Sequence, residues 1–384
     1  LPSTMAFPGR RKTVAIGSNQ DLHSHSEFRT PPSMKPEVII FGGYGTFGRI
    51  VVRELAARGN SVIIAGRDAS RARKLAEQLG ANHRGVAADV NSASDCSAAV
   101  QDCRMAVNYA GPLDACVPNL LDARLLNGCH YVDISDNRAY CRRVQDHDAA
   151  FTAQGLTAAF GCSSLPGISL AAAMAAAEMR SDPPCSARVT LFIGNDNPKG
   201  EAAVRSASQL VGRTIDAPQG PLLGFRDRQR VPLPAPFGPR SVLNFESPDY
   251  DLLPARLNVS NVQVKVGFEL FLTNLAFGAF ARLAPRAGRN LLPLLGKAGG
   301  ILRSIGCSGG VVMSELFWPD GATHRVAVVA TENGQHLAAL PAVYVAQQLC
   351  NIDITSPRGA ATAVDVLGWQ MLLERLTEDG FILH

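Results

Sequence analysis

Short apolar runs separated by amphipathic stretches set the plan of the chain from about residue 37 to residue 160. Glu37 to Phe41 reads E-V-I-I-F, a β-branched run that predicts a strand. Glycines follow. Apolar positions then recur at helical spacing from about Phe47 to Arg58, and Gly59 supplies a stop. The alternation repeats. Further strands are predicted at Ser61 to Ala65, Gly85 to Val90, Met105 to Tyr109, Tyr131 to Ile134 and Leu156 to Phe160. Helices are predicted between them at Ser70 to Leu79, Ala93 to Asp102, Val117 to Leu126, and from beyond Ile134 to about Gln154. Strands that are apolar throughout belong to a parallel sheet buried on both faces. Strands of this kind separated by helices predict an α/β chain with a Rossmann, doubly wound parallel sheet.

The pattern changes after residue 168. Ala187 to Gly194 reads as a strand, Ala202 to Leu210 as a helix, and Pro232 to Pro239 as a proline-rich loop. Val262 to Phe271 alternates as a strand does. Gly310 to Trp318 and Ala322 to Thr331 predict an antiparallel pair joined by a Pro319-Asp320-Gly321 turn. Ala342 to Leu349 and Asp365 to Leu376 read as amphipathic helices. Phe277 to Ile305 is basic and amphipathic, which suits a solvated helix pair or one that faces a membrane or partner. Val311 to Phe317 and Val326 to Val329 carry few charges, and a sheet built from them needs cover. A homodimer is the simplest cover.

Composition narrows the class. With 384 residues, 46% hydrophobic and 18% charged, the chain is too apolar for disorder and long enough for about two domains. The first 35 residues are the exception. Pro2, Pro8, Pro31 and Pro32 and scattered serines leave no sustained period, so residues 1–35 read as a disordered extension or an upstream artefact, with Met34 the natural start. A targeting peptide is the alternative, opposed by Asp21 and Glu27. His23 and His25 lack a third ligand nearby for a metal. The net charge is +4, of which +3 falls in this extension, so a basic field for nucleic acid is not expected. Nine scattered cysteines without a C-x-x-C argue against a disulfide framework or zinc site and fit a reducing compartment. No apolar run reaches the roughly 18 residues of a membrane span. The expectation is a cytoplasmic protein without an integral membrane segment.

Candidate chemistry starts at Gly43-Tyr44-Gly45-Thr46-Phe47-Gly48, a G-x-G-x-x-G directly after a strand and opening a helix. Gly43 permits the tight turn, Gly45 the approach of a pyrophosphate, and Gly48 close helix–strand packing. The helix N-terminus adds free N–H groups and a positive dipole end. The second strand ends Ala65-Gly66-Arg67-Asp68, with Gly66 where an NAD site usually places an acid. Gly66 leaves space, Arg67 can pair with a 2′-phosphate, and Arg71 and Arg73 open the next helix, so NADP is the expected cofactor. Asp89 and Val90, ending the third strand, are placed to touch the adenine side; Asp89 equally suits a helix N-cap.

From Val38 to about Gly167, the stretches IIFGGYGTFGR, IIAGRD, AADV, VNYAGP, HYVDISD and FGCSSLPGIS resemble the NADP-binding domain of the saccharopine dehydrogenase-like family. Pro198-Lys199-Gly200, Gly212 and Ser247-Pro248-Asp249 extend the resemblance to a bacterial branch of that family. The resemblance implies a dinucleotide domain, an inserted mixed α/β second domain, and C-terminal helices that return to the first. The implied division is residues 36–168 with about 341–384, and an insert of about 169–340. No arginine set for a large dicarboxylate amino acid can be placed, so saccharopine itself is not the expected substrate.

Hydride transfer needs the nicotinamide held against an electrophilic carbon, with a proton donor or charge stabiliser nearby. Three segments beyond strand ends should converge there. In Asn108-Tyr109-Ala110-Gly111-Pro112, Ala110 and Gly111 let the dinucleotide lie close, and Tyr109 is either a proton donor or a packed aromatic. In Asp133 to Arg138, Asp136 and Arg138 are candidates to fix a polar substrate, though Asp136 also suits a turn or cap. In Gly161 to Gly167, Ser163 and Ser164 supply hydroxyls, and Cys162 is either reactive or a buried small side chain. Lys199 is a loop residue within possible reach of substrate. No tyrosine has a lysine four residues later, which excludes the usual short-chain dehydrogenase mechanism. No phosphate-loop lysine follows the glycines, which disfavours an NTPase. The expected activity is an NADP(H)-dependent oxidoreductase acting on a small molecule at C=N, C=O or C=C. The alternative is a non-catalytic NADPH-binding or regulatory protein.

Overall fold

The β-branched run that opens the pattern forms the strand Val38–Phe41, and all four of its side chains are fully buried. In this computed structural model, residues 38–111, 113, 118–198, 200–298, 305–351 and 356–384 are described. The expectations for residues 1–35, Pro112 and Lys199 lie outside them. The strands in chain order are β1 (Val38–Phe41), β2 (Val62–Gly66), β3 (Arg84–Ala87), β4 (Met105–Asn108), β5 (His130–Asp133), β6 (Thr157–Phe160), β7 (Ser186–Ile193) and β8 (Thr214–Ala217). They continue as β9 (Gly220–Leu223), β10 (Gln229–Pro232), β11 (Pro239–Asn244), β12 (Asn261–Phe268), β13 (Gly310–Phe317), β14 (Thr323–Ala330), β15 (Gly359–Thr362) and β16 (Ile382–Leu383).

One sheet runs β15-β6-β5-β4-β1-β2-β3, parallel throughout. Strand order reverses between β1 and β4, so the crevice for a ligand opens beyond their carboxyl ends. Amphipathic helices cover the faces. In Gly48–Ala57, Val51, Val52 and Leu55 lie on the buried side. Burying each such side chain contributes about 1.5–3 kcal/mol. The second sheet runs β10-β11-β12-β7-β13-β14-β16 and is mixed, with β12 parallel to β7 and the other pairings antiparallel.

Several expectations change. The helix expected up to about Gln154 is two, Arg138–Asp146 and Asp148–Ala153, and the strand expected to Phe271 ends at Phe268. The stretch from Ala342 to Leu349 belongs to a longer helix, Gly334–Cys350, with eleven buried positions; it is apolar nearly all round rather than amphipathic, as a helix inside the core must be. The stretch from Asp365 to Leu376 is two helices, Ala363–Leu367 and Trp369–Glu378, broken at Gly368, whose φ of 78° suits glycine. The apolar strands thought to need a partner are buried within the single chain. Val311, Met313, Ala327 and Val329 join Phe192, Leu233 and Phe237 in a cluster of their own, so that argument for a homodimer falls away. No helix among the described residues is long and apolar enough to cross a membrane.

Candidate functional site

The glycine turn joins β1 to the helix Gly48–Ala57. Its left-handed residue is Gly42, at φ 72°, one position before the glycine expected to supply the tight turn. A Cβ at Gly42 would lie 2.6 Å from the Tyr109 carbonyl oxygen and 2.8 Å from the Ala110 nitrogen. The loops leaving β1 and β4 therefore meet backbone to backbone at the base of the crevice. Gly43 packs instead against Ile64 and Val52, where a Cβ would sit 3.0 and 3.1 Å away. At Gly48 a Cβ would come within 2.2 Å of the Gly42 carbonyl, which closes the turn onto the helix. Around Gly45 only the Gly42 carbonyl is close among the described residues, at 3.0 Å, which leaves the space beside the backbone open to them. That fits the approach of a pyrophosphate. Thr46 meets the segment after β7, where a Cβ on Gly200 would be 3.7 Å from Thr46 Oγ1. Phe47 is half-buried against the core.

The end of β2 is not the open space expected. Tyr44 reaches over Gly66, and a Cβ there would fall 2.4 Å from Tyr44 Cε1. The Tyr44 hydroxyl accepts from the Asp68 N–H at 2.9 Å, and the Arg71 guanidinium lies over the ring at 4.6 Å. Asp68 caps the helix Ala69–Leu79, with Oδ1 accepting from Ser70 N at 2.9 Å and Arg71 N at 3.0 Å. Its carboxylate thus occupies donors that the helix end would otherwise offer an anion. Arg67 is exposed and makes no hydrogen bond or ion pair among the described residues. Tyr44, Arg49, Arg53, Arg71, Lys74, Leu75 and Gln78 line a cleft of about 300 Å³ between the two helices. No carboxylate among the described residues pairs with its four cations. Asp89 does not cap the following helix, because Ser92 takes that role, accepting from Asp95 N at 3.2 Å. Asp89 Oδ1 instead accepts from Asn91 N at 3.0 Å, and Val90 beside it is half-buried.

Beyond β4, the Asn108 side chain shapes the loop. Its Oδ1 accepts from Ala110 N at 3.0 Å, and its Nδ2 donates to Tyr140 Oη at 3.1 Å. Gly111 N–H donates back to the Tyr109 carbonyl at 3.1 Å. Tyr109 is buried. Its hydroxyl donates to the Ala339 carbonyl at 3.3 Å, and burial, with Cys162 and Asp133 nearby, pushes its pKa well up. These are the surroundings of a packed aromatic. Cys162 is fully buried, its thiol likewise pushed up by burial, which matches the buried small side chain rather than a nucleophile. Ser163 Oγ donates to the Ala338 carbonyl at 3.0 Å.

The loop after β5 holds two carboxylates of different kinds. Asp133 is fully buried. Its Oδ1 accepts from Ser135 N and Gly161 N, each at 2.9 Å, while Oδ2 has no hydrogen-bond partner among the described residues. Burial raises its pKa to about 6 against the pull of those N–H groups. Asp136, in the loop itself, keeps an exposed side chain. Desolvation first and the Glu246 charge second raise its pKa to about 6. Arg138 is not free for substrate: Nε and Nη2 grip Asp251, and Nη1 donates to the Asp216 carbonyl. It ties the β5 loop to the helix Asp249–Leu257. The described residues contain no cluster of three or more His, Cys, Asp or Glu that could hold a metal.

Gly42, Arg49, Arg53, Lys74 and Glu246 were missed as site residues. The doubled glycine after Phe41 was the available signal for Gly42. The i, i+4 spacing of Arg49 and Arg53 was the signal for the cleft, and it needed the neighbouring helix to become meaningful.

Residues 38–159 match the saccharopine dehydrogenase NADP binding domain family. No curated protein matches the chain significantly. Among solved structures, saccharopine dehydrogenase (L-Glu forming) from Saccharomyces cerevisiae matches with a TM-score of 0.63 at 11% identity, over 91% of this chain and 99% of that one. A 3-hydroxyacyl-CoA dehydrogenase type-2 from Mycobacterium avium covers 34% of this chain and 75% of its own at 17% identity, with a TM-score of 0.29. A serine dehydrogenase from Escherichia coli covers 32% of this chain and 80% of its own at 16% identity, with a TM-score of 0.27.

Proposed function

We propose that this chain, saccharopine dehydrogenase-like in its nucleotide-binding domain and its fold, is an NADP(H)-dependent oxidoreductase that transfers hydride to or from a small organic substrate at a C=N, C=O or C=C bond. The observation that carries the cofactor choice is the acid-free cationic cleft beside the glycine turn. A cleft lined by Arg49, Arg53, Arg71 and Lys74 suits a 2′-phosphate dianion; no carboxylate lines it, and Asp68 beside it caps the helix end. Gly45 leaves room for the pyrophosphate, and the close contact of Gly42 with Tyr109 and Ala110 floors the crevice.

The nicotinamide, when bound, supplies or takes the hydride. Of the three catalytic candidates, Cys162 is buried, and Tyr109 is buried with its hydroxyl on the Ala339 carbonyl, which leaves Asp136 for proton handling. An exposed carboxyl with its pKa raised to about 6 can hold or release a proton near neutral pH. Arg138 positions its loop through Asp251. The burial of the other two candidates also favours, as a second reading, an NADPH-binding protein without turnover. Steady-state oxidation of NADPH against a panel of imines, 2-keto acids and enones separates the two. Turnover that falls at least tenfold in Asp136→Asn, with NADPH affinity unchanged, is the expected result. Tight NADPH binding without turnover on the whole panel favours the second reading, and a preference for NADH overturns the cofactor assignment.

A further inference from the structure

The helices Phe271–Leu283 and Pro285–Ala298 follow each other directly and present two apolar sides. The inner side is used. Asn274, Phe277 and Ala281 are buried, and the Phe277 ring packs at 4.4 Å from Phe225 and 5.2 Å from Phe268. Leu292 is buried on the second helix. The outer side has no cover among the described residues. Phe271 is 58% exposed, Leu272 70% and Leu283 80%, with Leu275, Leu291 and Ile305 also exposed. Six of the ten large apolar side chains exposed among the described residues fall between residues 271 and 305, so this is a patch rather than scatter.

Charge says what the patch faces. From residue 271 to residue 305 the sequence has Arg282, Arg286, Arg289, Lys297 and Arg303 and no Asp or Glu. That segment is +5 in a chain whose net charge is +4. Arg282 and Arg286 are exposed beside Leu283, and Arg228 reaches over the Phe271 ring at 6.0 Å. Apolar side chains that protrude among cations, with no acidic residue, are the composition of a helix that lies in a membrane interface. A protein partner would need an acidic and apolar surface together, whereas an anionic bilayer offers both by its nature. We infer that the helical hairpin 271–298 is a peripheral docking element for an anionic lipid surface. Leu272, Leu275 and Leu283 enter the headgroup boundary while Arg282 and Arg286 contact lipid phosphates and carboxylates. Neither helix need cross the bilayer, and neither is long enough to do so.

The test is flotation of the full chain with vesicles of phosphatidylcholine alone and with 30% phosphatidylserine added. Binding to the anionic vesicles should exceed binding to neutral ones at least tenfold and fall at least tenfold in high salt. Leu272→Glu/Leu283→Glu should abolish it, and Arg282→Glu/Arg286→Glu should weaken it more than tenfold. All four side chains are exposed, so the melting temperature and the NADPH titration should stay as in the wild type, which separates this outcome from failure of the cofactor reading. No binding to anionic vesicles, or unchanged binding of the double glutamate variant, overturns the inference. A light-scattering mass of twice 40.7 kDa that falls to one chain in Leu272→Glu/Leu283→Glu also overturns it, because the patch is then a self-interface.

Discussion

Arg71→Ala is the sharpest probe of the proposed nucleotide site, because the contact that Arg71 makes and the role proposed for it have different signatures. In the free protein its guanidinium lies 4.6 Å from the Tyr44 ring centroid. Such a contact at a partly exposed site is worth about 0.5–1 kcal/mol, so the variant should lose only about 1–3 °C in Tm. Arg71 also lines the cleft shared with Arg49, Arg53 and Lys74, where the proposed cofactor would meet it. A charge-assisted bond to a 2′-phosphate is worth about 1.5–3 kcal/mol, so NADPH should bind roughly ten- to a hundred-fold more weakly. NADH has no such phosphate and should weaken less than about threefold. Arg67→Ala should act in the same direction but less, since Arg67 is exposed and screened. The assay is fluorescence titration of each reduced cofactor at low and high salt, where the NADPH effect should shrink as salt rises. Equal weakening of NADH and NADPH by Arg71→Ala would refute the assignment, because Arg71 would then act only by holding Tyr44.

Other expectations follow from single contacts. Asp68→Asn keeps a helix cap but removes the carboxylate beside the cationic cleft, so NADPH should bind a few-fold more tightly with Tm changed little. Gly66→Asp should weaken both cofactors, because its Cβ would displace the Tyr44 ring; only with Tyr44→Ala added should preference move toward NADH, read by the same titrations. Gly48→Ala should cost about 1–3 kcal/mol by thermal unfolding, since its Cβ meets the Gly42 carbonyl. Asp133 and Asp249 are fully buried with pKa values raised to about 6, above the ordinary 3.8 of an aspartate. The folded chain therefore holds more protons than the unfolded one between about pH 4 and 6. Their contribution is greatest at acid pH and is lost as pH rises through about 6. Asp249→Asn should flatten that part of a stability–pH curve measured by urea unfolding.

The parallel sheet was legible because its strands are apolar on both faces and its helices carry a one-sided stripe. Where those signals fail, so does the reading. Ser169–Ala177, S-L-A-A-A-M-A-A-A, is buried along most of its length, and an alanine run has no stripe to mark a face. β15 reads G-A-A-T, without the β-branched bulk that marks a strand, and it pairs only because β6 offers an edge at Thr157 to Phe160. The net charge hides local detail for a related reason. Outside the first 35 residues the total is near neutral, yet that total is the sum of the +5 hairpin segment and an acidic remainder. A field is set by where charges sit, and a chain-wide total erases a local concentration of one sign.

The candidate site divides along the same physical line. Its backbone part could be read because a turn that must approach a phosphate admits little but glycine, and position along the chain then suffices. Its side-chain part could not, because the direction a side chain takes is set by what packs on it from far away in sequence. Tyr109 and Ser163 do leave the expected strand ends, but the helix Gly334–Cys350 lies across them and takes their hydroxyls on the carbonyls of Ala339 and Ala338. Those carbonyls follow Leu337, whose own carbonyl loses its helical donor at Pro341. Arg138 likewise sits where a substrate ligand was expected and is held by Asp251, more than a hundred residues on. Among the described candidates beyond these strand ends Asp136 keeps an exposed side chain, and the charge that acts on it is that of Glu246, more than a hundred residues on, which its loop position could not reveal.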